Sequence, residues 1–279
     1  MKEHFDYISN ESATIITRKY STSFSIAVRL LAPSIRQGIY NIYGFVRVAD
    51  EIVDSFQDFP KEELLNRFEE EYNYALRVGI STNPVINAFQ RTVVKYNVDN
   101  ELVEAFLKSM RADLTKTLYA NKGELEDYIY GSADVVGLMC LKVFVNGNDD
   151  EYRRLKNPAM KLGSAFQKVN FLRDLKQDSE ELQRAYFPNI NADNLSEKEK
   201  NEIVAEIRQD FETALIGIKK LPKEARFGVF VAYKYYTELL NKIEKSSAKR
   251  LKETRISVSN YSKTFLLFQS FFNYKFKIV

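Results

Sequence analysis

Ten glycines and six prolines are all that this 279-residue chain offers as breakers, well below the ~12% that globular proteins average. A chain with so few turning points must build from long elements, and the apolar residues recur with a helical period. No alternating strand pattern bounded by turn residues stands out. The expected architecture is all-α, with about nine helices in one domain spanning 1–279.

Helices are expected over 11–30, 34–57, 84–95, 99–118, 124–145 and 157–184. Pro60 suits a first helical turn and opens another to about Arg77. Ser196-Glu197-Lys198-Glu199 reads as a capping box starting a helix to about Lys220. Leu221-Pro222 breaks it, and a further helix runs through Arg250. Asn146-Gly147-Asn148 and Pro188–Asn194 read as loops, and the sole histidine, His4, falls in an N-terminus expected to fray.

Lys and Arg number 41 against 38 Asp and Glu. That near balance gives no electrostatic case for nucleic acid. Cys140, the only cysteine, excludes an intrachain disulfide and fits a reducing, cytoplasmic setting. No secretory leader or membrane-spanning run is evident. The aromatic stretch Thr264–Tyr274, flanked by Lys263 and Lys275, reads as a last helix on the core, with contact to a membrane surface as the alternative.

Two segments carry the chemistry. In the first, Asp50 and Asp54 stand four residues apart and so share a helix face, with Arg47 and Tyr43 on the turns before them. The segment is otherwise apolar, so charges pointing inward need partners. In the second, Asn170, Asp174 and Asp178 form a line at i, i+4 and i+8, with Gln167 above it and Arg173 beside it. Oxygen donors without His or Cys suit Mg²⁺, which takes one or two protein carboxylates and completes its shell with water and phosphate oxygens. One D-x-x-x-D pair is ordinary decoration of a solvated helix. Two, each beside an arginine and each on an apolar helix, weaken that reading without deciding against it, and two such helices facing each other would hold Mg²⁺ ions around a diphosphate.

These segments resemble the squalene/phytoene synthase family. Its first motif, Y-x-x-x-R-x-x-D-D-x-x-D, is similar to Tyr43…Arg47…Asp50-Glu51…Asp54. Its second, Q-x-x-N-x-x-R-D-x-x-x-D followed by R-x-Y-x-P, is similar to Gln167…Asn170…Arg173-Asp174…Asp178 and then Arg184-Ala185-Tyr186-Phe187-Pro188. Ser21, Ser23 and Phe24 match its K-S-F stretch, Tyr130…Val136-Gly137 its central helix, and Arg255…Lys263 its C-terminal arginine segment. Glu51 departs from the usual second Asp, and Gln183 from the usual Gly.

The resemblance implies an isoprenoid-synthase helical bundle around a central hydrophobic channel. It implies head-to-head condensation of two prenyl diphosphates through a cyclopropyl diphosphate, in carotenoid biosynthesis. Asp50, Asp54, Asn170, Asp174 and Asp178 are then metal ligands for Mg²⁺, with Mn²⁺ as an alternative. Ser21, Ser23, Arg47, Gln167, Arg173, Arg184 and Arg255 bind diphosphate, and Tyr43, Tyr130, Tyr236 and Arg47 act on the reacting carbons. The expected product is phytoene from two C20 diphosphates, without NADPH. Dehydrosqualene or squalene from C15 diphosphates is the alternative, and a non-catalytic scaffold the reading from another class. Membrane contact would assist release of an apolar product.

Overall fold

A computed structural model describes residues 1–180, 184–188, 190 and 195–258. The stretch Thr264–Tyr274, Lys263 and Gln183 lie outside the described residues. The helices in chain order are α1 Lys2–Tyr20, α2 Thr22–Arg29, α3 Pro33–Asp54, α4 Lys61–Val78, α5 Pro84–Lys95, α6 Asn100–Ala112, α7 Lys122–Ile129, α8 Val135–Phe144, α9 Asp149–Arg173, α10 Leu175–Glu180, α11 Glu197–Ile218, α12 Lys223–Lys245 and α13 Ala248–Glu253. A π turn, Tyr130–Asp134, joins α7 to α8. The only β pairing among the described residues is one bridge, Leu118 with Ala185.

Local chemistry fixes several helix ends. Asn83 accepts from the amides of Val85 and Ile86 ahead of Pro84, and Asn148 caps α9 through the Glu151 amide. The capping box at Ser196 and Glu199 forms as the sequence predicts. Each satisfies backbone donors that a helix start leaves open. Gly79 ends α4 in the left-handed region at φ 81°, where a side chain would be strained.

Several expected boundaries change. The helix expected over 11–30 begins at Lys2, so His4 lies in a formed helix, and it breaks at Ser21. Ser21 adopts an extended conformation (φ −142°, ψ 102°), and its Oγ accepts from the Phe24 amide to start α2. The helix expected over 157–184 starts at Asp149 and passes through Pro158. It turns at Asp174 into the short α10.

The core lies in two apolar clusters. One centres on α3, α5, α6 and α8, where Phe45 stacks on Phe89 at 3.9 Å. The other centres on α9, α11 and α12 and includes Tyr186 and Phe187. Leu162 and Tyr233 pack against both. A cavity of about 390 Å³ runs along this junction, with walls from α2, α3, α8, α9, α11 and α12. Small residues let the walls approach: a Cβ on Gly217 would stand 2.3 Å from Pro158 Cβ, and one on Gly163 2.9 Å from the Ala133 carbonyl.

Candidate active site

The cavity has a polar mouth and an apolar shaft. Arg47, Asp50, Gln167 and Asn170 line the mouth, while Val28, Ile39, Cys140, Leu155 and Ile218 line the shaft. Asn170 and Leu155 both lie on α9, fifteen residues apart, which at ~1.5 Å per residue makes the shaft ~22 Å deep. The expected central channel is therefore present, and α3 and α9 carry the two carboxylate motifs to the same end of it.

On α3, Arg47 pairs with both Asp50 and Glu51. The guanidinium lies over the Tyr20 ring, 4.4 Å from its centroid. Glu51, the residue that departs from the family motif, thus serves as a second counter-ion for Arg47. On α9, Arg173 Nε donates to Asp174 Oδ1 at 2.9 Å. Arg255, beyond α13, reaches the same oxygen at 2.6 Å. The helical backbone spacing continues through the turn at Asp174, because the Asp174 amide donates to Asn170 O and the Asp178 amide to Asp174 O, both at 2.9 Å.

The two motifs act on each other electrostatically. Burial first, and then the charge of Asp54, push the Asp50 carboxyl up to about 6 against the pull of Arg47. Burial and the charge of Asp174 push Asp178 up to about 7, with Asp54 adding from across the mouth. The cluster holds six carboxylates (Asp50, Glu51, Asp54, Asp113, Asp174, Asp178) against four arginines. Crowded carboxylates that raise one another's pKa stand in a field that favours cations.

Among the described residues no three His, Cys, Asp or Glu side chains converge tightly enough to enclose a metal by themselves. Mg²⁺ commonly takes one or two carboxylates per ion, with phosphate oxygens and water filling its shell. The donor set, all oxygen and rich in charge, fits that ion.

Tyr236, on α12, donates to Asn170 Oδ1 at 3.3 Å and stacks on Phe166 at 3.9 Å. Tyr43 stacks on Phe24 at 4.7 Å, both at the channel wall. Ser21 sits at the α1–α2 break and acts on the Tyr43 hydroxyl through a side-chain hydrogen bond. Gln167 Nε2 lies 3.4 Å from Ser132 Oγ. Ser23 is half-buried in the first turn of α2.

Two expected residues are placed differently. Tyr130 is 37% exposed and outside the channel lining, whereas Tyr128 lines it. Positions two apart on a helix project to nearly opposite sides, and it is the Tyr128 ring that faces the channel. Arg184, expected among the diphosphate ligands, is buried at 7% exposure. Its Nη1 pairs with Asp54 Oδ1 at 2.9 Å, and its Nη2 donates to the Asp113 carbonyl at 2.8 Å.

Three participants were not singled out from the sequence. Asp113 is a buried carboxyl, pushed up to about 7 by burial, that accepts from the Tyr128 hydroxyl at 3.0 Å. Tyr128 and Tyr20 complete the set. Asp113 sits just past the end of an amphipathic helix, where an acidic residue carries no periodic signal.

The squalene/phytoene synthase family model matches residues 17–262. Phytoene synthase 1, chloroplastic, of Solanum lycopersicum is 28% identical over 251 residues, covering 82% of this chain and 60% of the relative. The chain thus spans about three fifths of that plant protein's length. Phytoene synthase of Arthrospira platensis is 28% identical over 263 residues, covering 85% and 84%. In fold, the chain superposes on a dehydrosqualene synthase solved in complex with a ligand, with a TM-score of 0.81 at 22% identity over 97% of this chain and 98% of that one. A squalene synthase from Alicyclobacillus acidocaldarius gives a TM-score of 0.74 at 22% identity, covering 89% and 95%.

Proposed function

From the premise that this chain belongs to the squalene/phytoene synthase family, we propose that it condenses two prenyl diphosphates head to head, taking C20 substrates to phytoene. The observation that carries this reading is the meeting of the two carboxylate motifs at the mouth of one deep apolar channel. A molecule with a diphosphate head and a long hydrocarbon tail matches both halves of that cavity.

Asp50, Asp54, Asn170, Asp174 and Asp178 would hold Mg²⁺, or Mn²⁺ in its place. When bound, the cation offsets the charge that develops on the departing diphosphate. Arg47, Arg173 and Arg255 ring the same mouth and suit two-pronged recognition of phosphate oxygens. Gln167 adds a neutral donor at the mouth, and Ser21 and Ser23, at the start of α2, would supply two more. The shaft keeps water from the allylic cation formed when the first substrate ionises. That cation alkylates the double bond of the second substrate, and loss of a proton to the released diphosphate closes the ring to a cyclopropyl diphosphate, which ionises and rearranges. The π-faces of Phe24, Tyr43, Phe166 and Tyr236 line this path and favour positive charge near them. Tyr128, at the wall, takes the place that the sequence reading gave to Tyr130.

The final cation in a dry channel either takes hydride from a nicotinamide or loses a proton. Proton loss to the released diphosphate is the proposed exit, so the reaction needs no NADPH. The deciding experiment supplies purified protein with Mg²⁺ and C15 or C20 diphosphate, with and without NADPH, and weighs the product. A C40 hydrocarbon from C20 diphosphate without NADPH is expected. A C30 product from C15 diphosphate overturns the substrate assignment and keeps the mechanism; a strict NADPH requirement overturns proton loss. No product from either substrate supports a scaffold instead.

A further inference from the structure

Arg184 joins three parts of the molecule that are remote in sequence. Its amide donates to Asp178 O at 2.9 Å, and the next amide, of Ala185, donates to Thr117 O at 2.9 Å. Tyr186 stacks on Phe171 at 3.8 Å. The backbone here is therefore pinned on both sides, while the guanidinium reaches from Asp54 Oδ1 to the Asp113 carbonyl.

Asp113 is the unusual member of this group. It is 8% exposed, and its Oδ2 accepts from the Tyr128 hydroxyl at 3.0 Å. Its Oδ1 is buried and has no hydrogen-bond partner among the described residues. A buried carboxylate oxygen left without a donor is costly, and such atoms are rare in native proteins. The guanidinium already touches the backbone carbonyl of the same residue, so a short rotation brings another of its five donors toward that oxygen.

Asp54 faces the opposite problem. An oxygen bonded to a guanidinium cannot give itself fully to a hard cation, and two positive charges sharing one carboxylate repel each other. Of the Asp54 carboxylate, Arg184 holds only Oδ1; a metal ion on the same carboxylate repels the guanidinium and weakens that hold, and a buried guanidinium then gains from another anion. We propose that Asp113 is a positioning residue that receives Arg184 when a divalent cation and diphosphate occupy Asp54. Arg184 thereby guards Asp54 in the empty site and braces the loaded one. This inference rests on the reading of Asp54 as a metal ligand given above.

The test uses the full chain, Mn²⁺ as a spectroscopic probe and inorganic diphosphate, so it needs no turnover. Mn²⁺ affinity is measured by paramagnetic resonance for the unaltered protein, Asp113→Asn, Arg184→Gln and the double variant. Asn at 113 keeps an acceptor for Tyr128 and removes the charge that would receive Arg184. Asp113→Asn should weaken Mn²⁺ binding by about tenfold or more, the size typical of losing a partner that supports a ligand. With Arg184→Gln there is no cation to transfer, so adding Asp113→Asn should change affinity little.

Equal affinity in Asp113→Asn and the unaltered protein overturns the proposal. So does an Asp113→Asn loss that persists undiminished beside Arg184→Gln. Absence of Mn²⁺ binding by the unaltered protein overturns the metal reading of the site and this inference with it. A measurement on the unaltered chain stands apart from the folding of any variant: the ¹⁵Nε resonance of Arg184 should move when Mg²⁺ and diphosphate are added together. A resonance that stays in place while Mn²⁺ binds shows that the guanidinium does not transfer.

Discussion

The Tyr236 hydroxyl donates to Asn170 Oδ1 across 3.3 Å, tying α12 to the second carboxylate motif on α9. The same ring stacks on Phe166 at 3.9 Å, so its position is fixed by packing and its hydroxyl by Asn170. Tyr236→Phe should keep the stack and free the amide. Supporting partners of metal ligands typically account for 10–100-fold in affinity or activity. The Mg²⁺ concentration for half-maximal turnover should therefore rise by about tenfold while the melting temperature changes little. A variant with unchanged Mg²⁺ dependence would remove Asn170 from the ligand set or Tyr236 from its support.

Asp50→Asn and Asp174→Asn remove a charge but little volume. Each should lower turnover by ~10²-fold or more, in line with losing charge stabilisation of a leaving group, with circular dichroism unchanged. Near-normal kinetics in both variants would end the two-motif reading. Asp174→Asn also releases Arg173 and Arg255, which share that carboxylate.

Arg47→Lys should hurt substrate affinity far more than an equal-charge exchange suggests. Lys cannot present two coplanar donors, and Arg47 already divides its two Nη groups between Asp50 and Glu51. Titration with inorganic diphosphate in the presence of Mg²⁺ measures this directly. An unaltered affinity would place Arg47 away from the phosphates.

Stability should depend on pH through Asp134, which lies just behind the channel wall. Burial pushes its carboxyl up to about 7, in spite of the hydrogen bond from Ser164 Oγ at 2.7 Å. A carboxyl with a raised folded pKa gives the folded state more bound protons than the unfolded chain between about pH 4 and 7. Stability contributed by this group is thus present at acid pH and lost as pH rises through about 7. Asp134→Asn should raise the melting temperature far more at pH 8 than at pH 4, as read by calorimetry. An equal change at both pH values would show that its charge is compensated.

Cys140 lines the shaft without a polar partner in the proposed chemistry, and burial pushes its thiol up to about 12. Cys140→Phe adds volume where a long prenyl tail would lie. Turnover of C20 diphosphate should fall more than that of C15 diphosphate, as measured by product mass in competition. Equal losses for both lengths would place the tail along another wall.

How much of this was legible beforehand differs from residue to residue. Scarce glycine and proline and the helical period announced the all-α fold, because those signals are local. The i, i+4 and i+8 spacing of Asn170, Asp174 and Asp178 held through the turn at Asp174, because the backbone bonds between those residues persist. Arg47 beside Asp50 was legible for the same reason. The break at Ser21 was not, since one serine supplies the cap that starts α2 and serine occurs equally well inside such a run.

Helix content, the faces of the carboxylate motifs and the capping box at Ser196 could be read from the chain directly, since each depends on neighbours within two helical turns. Long-range packing, by contrast, is what turns Tyr128 rather than Tyr130 to the channel, sets Arg184 inside on Asp54, and stands Asp113 behind it. The physical reason is that each of these follows from packing between segments tens of residues apart. The segment at 184–186 docks on the 113–118 loop and on Phe171, and no periodicity within either segment specifies the other.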